Sequence, residues 1–503
     1  MKSPVSLHVV VALMGATLLP RALAAQPAPS AEPIPLVEVY GTLVPFLEYG
    51  HTTSATPPGS HVPNTTGPSQ VATYSGVNLS ARGNMDPSTT NIGFRGGVEV
   101  MPNLSVVWQV ENAVPIDGTT GPNTWASRNT NVGLTGNWGT LFYGSWDTPY
   151  SWTTKTMINP IRSGNVTDFN AIINNPGFGV SSVTTQSTRA AAAADAAWER
   201  RQGNSVQYWT PNISGVSARF MYSTDEGRTA ATAMAPEIGP KMLSGALAID
   251  ALDGNLKLRE AAEVHFDYFG MSQLGGTPGA TNTNRSSTDW GNKVIASYTN
   301  PLKGMETRVV GVAEFLSYKN KDSQVGANNE YSRWALYGLV EQAFGQHRVW
   351  LGFGKAFEGD CAKVQGTAVP PVPACITTGL SATDGVIGYI FRASKSFDIW
   401  AAYYRISNDF ASSHTRSPPL GAVPAPGTII ESFGIGVLYT FSAKIIGPPA
   451  KAAPKPAEPP PPTPTPAPTT EPGPVPPPNA PEPPPNPGTP PPPNPNPNPN
   501  PNP

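Results

Sequence analysis

Between Leu256 and Tyr268 the residues able to do chemistry fall on every second position: Lys257, Arg259, Glu263, His265 and Asp267, with Ala261 among them. The alternate positions read Leu256, Leu258, Glu260, Ala262, Val264, Phe266 and Tyr268. Successive side chains of a strand point to opposite faces. A strand here therefore carries an apolar face closed by aromatics and a second face of two cations, two anions and an imidazole. A helix would mix the two sets around its circumference, so the period argues for strand. Glu260 is the exception on the apolar face. Charges of both signs spread along a strand do not form an acid–base pair. They suit either the wet side of a soluble sheet or the wall of a water-filled lumen whose other face meets lipid.

The remaining reactive residues do not assemble into a catalytic pattern. The 6 histidines are scattered, with no His-x-x-Glu-His or comparable pair, and no nucleophile-elbow sequence surrounds a serine. The reading is of a protein that is not an enzyme and needs no cofactor. Cys361 and Cys375 share one Gly/Pro-rich segment without a nearby histidine, which disfavours metal binding. In an exported chain they suit a disulfide closing a short loop.

The pattern of the first strand repeats along the chain. Val37, Val39, Gly41, Leu43 and Leu47 alternate with Glu38, Tyr40, Thr42 and Glu48. Ile92, Phe94, Val98 and Val100 alternate with Asn91, Arg95 and Glu99 before a turn at 101–103. Leu104, Val106, Trp108 and Val110 then alternate with Ser105, Gln109 and Glu111. Further hairpins turn near 136–139, 211–215, 253–255, 300–304, 344–346 and 393–395. The last strand, Ile429 to Phe441, places Phe433, Ile435, Val437, Tyr439 and Phe441 on one face. The count is about sixteen strands, with short turns alternating with long polar loops. That asymmetry marks an outer-membrane barrel, whose closure removes the sheet edges that lipid forbids.

Of the 503 residues only 13% are charged, and the net charge is −2, which gives no reason to expect a nucleic-acid partner. Lys2, the mostly apolar run Val5 to Leu19 and the small residues around Ala22-Leu23-Ala24 read as a secretory signal, residues 1–24. After it no run approaches the roughly 18 apolar residues of a spanning helix. A linker (25–36) leads to the strands. Two segments break their rhythm. Thr148 to Gln202 is much longer than the other connections and contains the Ala-rich stretch Thr188 to Arg201, which reads as a short helix. After Phe441 lie 30 of the 60 prolines, so residues 442–503 read as solvated polyproline II and disorder.

Several stretches resemble the general porins of Gram-negative outer membranes, in particular the trimeric sixteen-stranded porins of the β-proteobacterial and neisserial type. They are VEVYGTLVPFLEYG (37–50), NIGFRGGVEVMPNLSVVWQVEN (91–112), SRNTNVGLTGNWGTLFYGSWDTPY (127–150), NSVQYWTPNISGVSARFMYS (204–223) and FGIGVLYTF (433–441). The third is the most specific. The chain departs from the family at Ser145, where an arginine is usual, at Gln207, where a basic residue is common, and after Phe441, where the family normally ends.

The resemblance implies an all-β fold: a 16-stranded antiparallel transmembrane barrel over residues 37–441, with 148–202 folded inward as a constriction loop. It implies a homotrimer in the outer membrane, in contact with lipid, passing ions and small hydrophilic solutes by passive diffusion. Asp168 on the loop would face the wall arginines Arg95 and Arg128. The inward set reads as Gln109, Glu111, Lys257, Arg259, Glu263, His265, Asp267, Arg308, Glu314, Arg333, Glu341 and Arg348, with His265 a bystander rather than a gate. Its mixed signs predict weak ion selectivity. Strand parity puts the tail in the periplasm, and at about 3.1 Å per residue it is long enough to meet the peptidoglycan. The alternatives are a substrate-specific channel for a sugar or anion, with Trp209, Tyr337 and Trp350 as inward aromatics, and a soluble secreted β-protein or adhesin.

Overall fold

The computed structural model describes residues 36–447 except 59, 61–75, 117, 119–124, 162–170, 179–183, 187–195, 225–229, 231–236, 275–285, 303, 322–324, 327, 366–373 and 417–424. The signal segment 1–24, Asp168 and the Pro-rich end of the chain lie outside the described residues.

All twenty extended stretches belong to one sheet. Three staves are broken in two and one short stretch lies off the wall, leaving sixteen antiparallel staves. We number them β1 (Val37–Leu43 and Phe46–Thr53), β2 (Arg82–Asp86 and Asn91–Met101), β3 (Leu104–Ala113), β4 (Thr130–Gly136), β5 (Gly139–Asp147), β6 (Arg200–Trp209), β7 (Val216–Thr224) and β8 (Lys241–Ala251). There follow β9 (Leu256–Phe266), β10 (Ser286–Asn300), β11 (Met305–Lys321), β12 (Asn328–Phe344), β13 (His347–Ala356 and Asp360–Lys363), β14 (Ala382–Ser394), β15 (Phe397–Asn408) and β16 (Ile429–Ile446). Each pairs with its neighbour in sequence, and β16 returns to pair with β1, Val37 opposite Ile446 and Thr53 opposite Ile429. The sheet has no free edge. The turns after β2, β4, β6, β8, β10, β12 and β14 are short and share one end with Val37 and Ile446. The long connections share the other end.

The two faces of the wall are inverted relative to a soluble protein. On β12, Trp334, Leu336 and Val340 are 49%, 46% and 47% exposed, while Arg333 and Glu341, on the alternate positions, are buried. On β9, Leu258 faces out and Arg259, Glu263 and His265 face in. A register of period two allows no compromise, because a slip of one residue would turn every charge toward lipid. The break in β1 at Pro45, which has no N–H to give, is bridged by a side chain: the amide of Val44 donates to Thr90 Oγ1 at 2.9 Å.

The structure corrects three expectations. The closing strand does not end at Phe441 but runs on to Ile446, because Ser442–Ile446 still find partners on β1. The wall alternation of β9 stops at Phe266. Asp267 takes a left-handed conformation (φ 61°), and this turn swings Tyr268, expected on the lipid face, into the interior, where it is fully buried. The described part of the expected helix Thr188–Arg201, residues 196–201, is irregular and then joins β6. A helix occurs instead at α1, Pro149–Met157, where Thr148 caps the amide of Ser151 at 3.1 Å and proline opens the first turn.

An arginine placed at Leu336, on the outer face, should destabilise the barrel by about 2–4 kcal/mol if the site lies near the bilayer midplane. Urea unfolding in lipid vesicles measures it. A loss near zero would mean that this face does not meet hydrocarbon.

Candidate constriction site

The described part of the segment between β5 and β6 folds inside the barrel. Its first apolar patch, Met157, Ile158, Ile161, Ala171, Ile172 and Ile173, packs on inward residues of β11, β12 and β13, including Val310, Val312, Tyr337, Leu339 and Trp350. A polar clamp then fixes it. Glu314 of β11 accepts from the Tyr150 hydroxyl at 2.8 Å and from the Asn174 amide at 2.9 Å, and lies 3.5 Å from Arg333 of β12. Lys293 of β10 donates to Asn174 Oδ1 at 2.7 Å and sits 3.7 Å from the centre of the Tyr150 ring. Glu199 receives Ser151, Asn174 and Lys155, each at 2.8 Å. The Trp198 indole donates to Tyr318 at 2.6 Å, and Tyr318 donates to the Ala196 carbonyl at 2.7 Å. These groups are nearly all sealed from water, so each charge depends on its partners.

The clamp absorbs four residues of the expected inward set, Glu263, His265, Glu314 and Arg333. Arg333 is fully buried and donates to the carbonyls of Ile172 and Asn175. His265 is buried, bonds Glu263 at 2.8 Å and stacks on Trp198 with ring centres 4.3 Å apart. Both are beneath the inward segment rather than on an open wall. Asp267 is also displaced from the pore role. It holds the start of the next connection, accepting from the Ser287 amide at 3.1 Å.

The other expected residues stand on the inner wall. Arg95 pairs with Glu38 at 3.0 Å and remains half exposed. Arg128 pairs with Glu111 at 2.6 Å, and Glu111 also receives Tyr40 at 3.1 Å. Gln109 donates to the Asn129 carbonyl at 3.1 Å. Lys257 is exposed opposite Asp250 in the ladder, and Arg259 takes that carboxylate at 2.7 Å. Arg308 pairs with Glu341 at 2.9 Å and caps α1, donating to the Met157 carbonyl at 2.9 Å, where a cation is favoured by the helix dipole. Arg348 shares Glu341. Asp147, at the end of β5, is held by Lys155 at 2.7 Å. Burial alone would pull the Lys155 ammonium down, but Asp147 and Glu199 outweigh it and hold it above its ordinary value. Cys361 and Cys375 are joined, with Cα atoms 5.6 Å apart.

A second inward segment carried no signal in the sequence reading. In the connection after β15, Ser413 donates to the Gly177 carbonyl through its amide at 2.9 Å and its hydroxyl at 3.0 Å. His414 bonds Ser412 at 2.7 Å and lies against Gly177 so closely that no Cβ fits there. Arg416 reaches Glu48 of β1. The two connections are thus tied to each other as well as to the wall.

Among the described residues no cluster of three metal-ligating side chains occurs. Sequence comparison matches residues 11–411 to the family described as Gram-negative porin. A 79-residue stretch is 35% identical to the major outer membrane protein P.IB of Neisseria gonorrhoeae; it takes in 16% of this chain and spans only 22% of that relative's length. Among solved structures, the anion-selective porin from Comamonas acidovorans aligns with a TM-score of 0.52 and 15% identity, over 80% of this chain and 99% of that one. OmpT of Vibrio cholerae, an outer membrane protein in its trimer form, aligns at 0.48 with 11% identity, over 80% and 99%.

Glu314→Ala should cost about 3–5 kcal/mol, because it leaves Arg333 buried beside an empty site. It should also expose the 148–199 segment to protease, read as new cleavage in the intact barrel. The neighbouring tie responds to pH. Burial, with the Arg333 cation nearby, holds the His414 imidazole well below its ordinary value. Its contribution is intact above the unfolded value of about 6.5 and declines as the pH falls below it, since the unfolded segment takes up the proton more readily. Amide protection factors of residues 409–416, taken relative to the intrinsic exchange rate at each pH, should therefore fall between pH 7 and pH 5, and His414→Gln should flatten that dependence.

Proposed function

The chain belongs to the Gram-negative porin family, and from that premise we propose that it is an outer-membrane channel for passive diffusion of ions and small hydrophilic solutes. The observation that carries the reading is the inverted wall: a closed sheet, apolar outside and charged inside, with a connection folded into its interior. Such a wall lowers the desolvation barrier by keeping a solute hydrated across the bilayer, and its narrowest part sorts solutes by size and charge. No step in this activity requires a catalytic group.

We assign Arg95, Gln109, Glu111, Arg128, Lys257, Arg259 and Arg308 to the pore wall, and Asp168 to the constriction on the loop facing Arg95 and Arg128. The pairing of Arg95 with Glu38, Arg128 with Glu111 and Arg259 with Asp250 supports weak ion selectivity, because each cation's field is compensated within a few ångströms. The protein works as a homotrimer. Both ends of the barrel strands lie with the short turns, which supports a periplasmic position for the Pro-rich tail beyond Ile446, where it can reach the peptidoglycan. The region before Val37 acts as a cleaved export signal and linker.

Planar-bilayer conductance of the detergent-purified protein under a salt gradient tests the reading. Ohmic openings in groups of three with a small reversal potential are expected. Folded protein that gives no current would overturn the channel. A small current blocked by one particular sugar would replace diffusion with a dedicated transporter.

A further inference from the structure

Arg219 is an arginine of the inner wall that stands apart from these pairs. Arg219 of β7 faces inward across the hairpin from Trp209 of β6. Its guanidinium carbon lies 3.7 Å from the centre of the Trp152 ring on α1 and 3.9 Å from that of Trp209. Two indoles thus lie against the cation. Its N–H edge donates to no protein group among the described residues and no carboxylate pairs with it. Trp209 is fixed in turn by Phe142 at 4.9 Å and Trp146 at 5.7 Å, and its own N–H is spent on Gln207 at 3.1 Å. Trp152 and Arg219 remain partly exposed, so the edge is open to the interior.

The neighbouring charges explain why an anion would choose this place. Asp147 is occupied by Lys155, by Asn129 at 3.0 Å and by Arg201 at 3.6 Å. Arg259, itself 5.8 Å from the Trp152 ring, is occupied by Asp250. A guanidinium offers five N–H donors in a planar fork that matches a carboxylate bidentately. Packed against the two indoles it loses little freedom on binding. The indole edges around it offer apolar area to the rest of the solute.

We propose that the Trp152–Arg219–Trp209 stack is a lumenal docking site for small carboxylates that carry an apolar tail. The proposal rests on the channel reading and adds a specific contact to it. The site is transient by construction, since one fork and two ring edges in an aqueous interior slow a solute without trapping it.

Benzoate titrated against the potassium chloride current of the full-length protein in a planar bilayer tests it, with benzyl alcohol as the uncharged control. Wild type should show a saturable fall in current with benzoate and none with benzyl alcohol. Arg219→Gln should weaken the benzoate effect at least tenfold. Arg219→Lys, which keeps the charge but loses the fork, should weaken it severalfold. Heat-modifiable migration in detergent gels reports independently whether each variant is folded; should Arg219→Gln fail to fold, Arg219→Lys and Trp152→Leu provide the comparison. A wild-type channel that passes salt but ignores benzoate, or a folded Arg219→Gln channel with undiminished block, would overturn the site and leave the channel standing. Absence of any salt current from folded wild type would overturn the channel and the site with it.

Discussion

Hydrocarbon offers no partner to a backbone N–H or carbonyl, and the rest of this structure follows from that constraint. A chain without a long apolar helix can cross such a medium only as a sheet closed on itself. Closure here is accomplished by β16, whose long run serves both halves of the broken β1. Once the sheet is closed, the two-residue period assigns every side chain to lipid or to the interior. The burial of Arg333 beside exposed Trp334 is this rule applied at one position.

A closed wall leaves a polar interior that the chain must then occupy in a defined way. The inward connection cannot rely on its apolar patch alone, because the wall beside it carries Glu314, Lys293 and Arg333. Removing those charges from water is costly unless every one is matched. The matching groups come from the connection itself: Tyr150, Asn174, Thr154 and the carbonyls of Ile172 and Asn175. Wall and connection are therefore mutually dependent. Gly291 adds the steric side of the fit: a Cβ on it would lie 3.0 Å from the Tyr150 hydroxyl and 3.1 Å from the Trp198 ring.

The barrel was legible in the sequence because period-two alternation is a local signal that tertiary contacts reinforce at every strand. The two faces of β1, β2, β3 and β9 could be named residue by residue on that basis. The site was less legible for three physical reasons. Alternation ends without notice where one residue turns left-handed, as at Asp267, and Tyr268 then changes sides. An inward position does not say whether a side chain meets water or a folded connection, which is why His265 and Arg333 were read as pore lining. The Ala-rich stretch read as a helix by composition, whereas the helix that forms owes its start to a local cause that went unread, the Thr148 cap and Pro149 in the first turn. Nothing in the 409–416 sequence marks it as inward-folding, because its ties are to the Gly177 carbonyl and to Glu48, distant groups with no sequence pattern.

The same distinction between facing inward and being available bears on charge. Composition alone counts Arg95, Arg128, Arg259, Arg308 and Arg333 as five positive steps along the lumen. Geometry commits each of them: to Glu38, Glu111, Asp250, Glu341 and Glu314 respectively. A committed guanidinium contributes a dipole whose field falls off faster than that of a free charge, and part of its fork is already taken. What a passing anion meets is then governed by the few cations whose fork is unspent. Arg219 is of that kind because its partners are ring faces, which neutralise no charge and take no N–H. Aromatic stacking fixes such a cation in place without consuming its hydrogen-bonding capacity. A wall close to electrical balance can thereby still distinguish a carboxylate from a chloride.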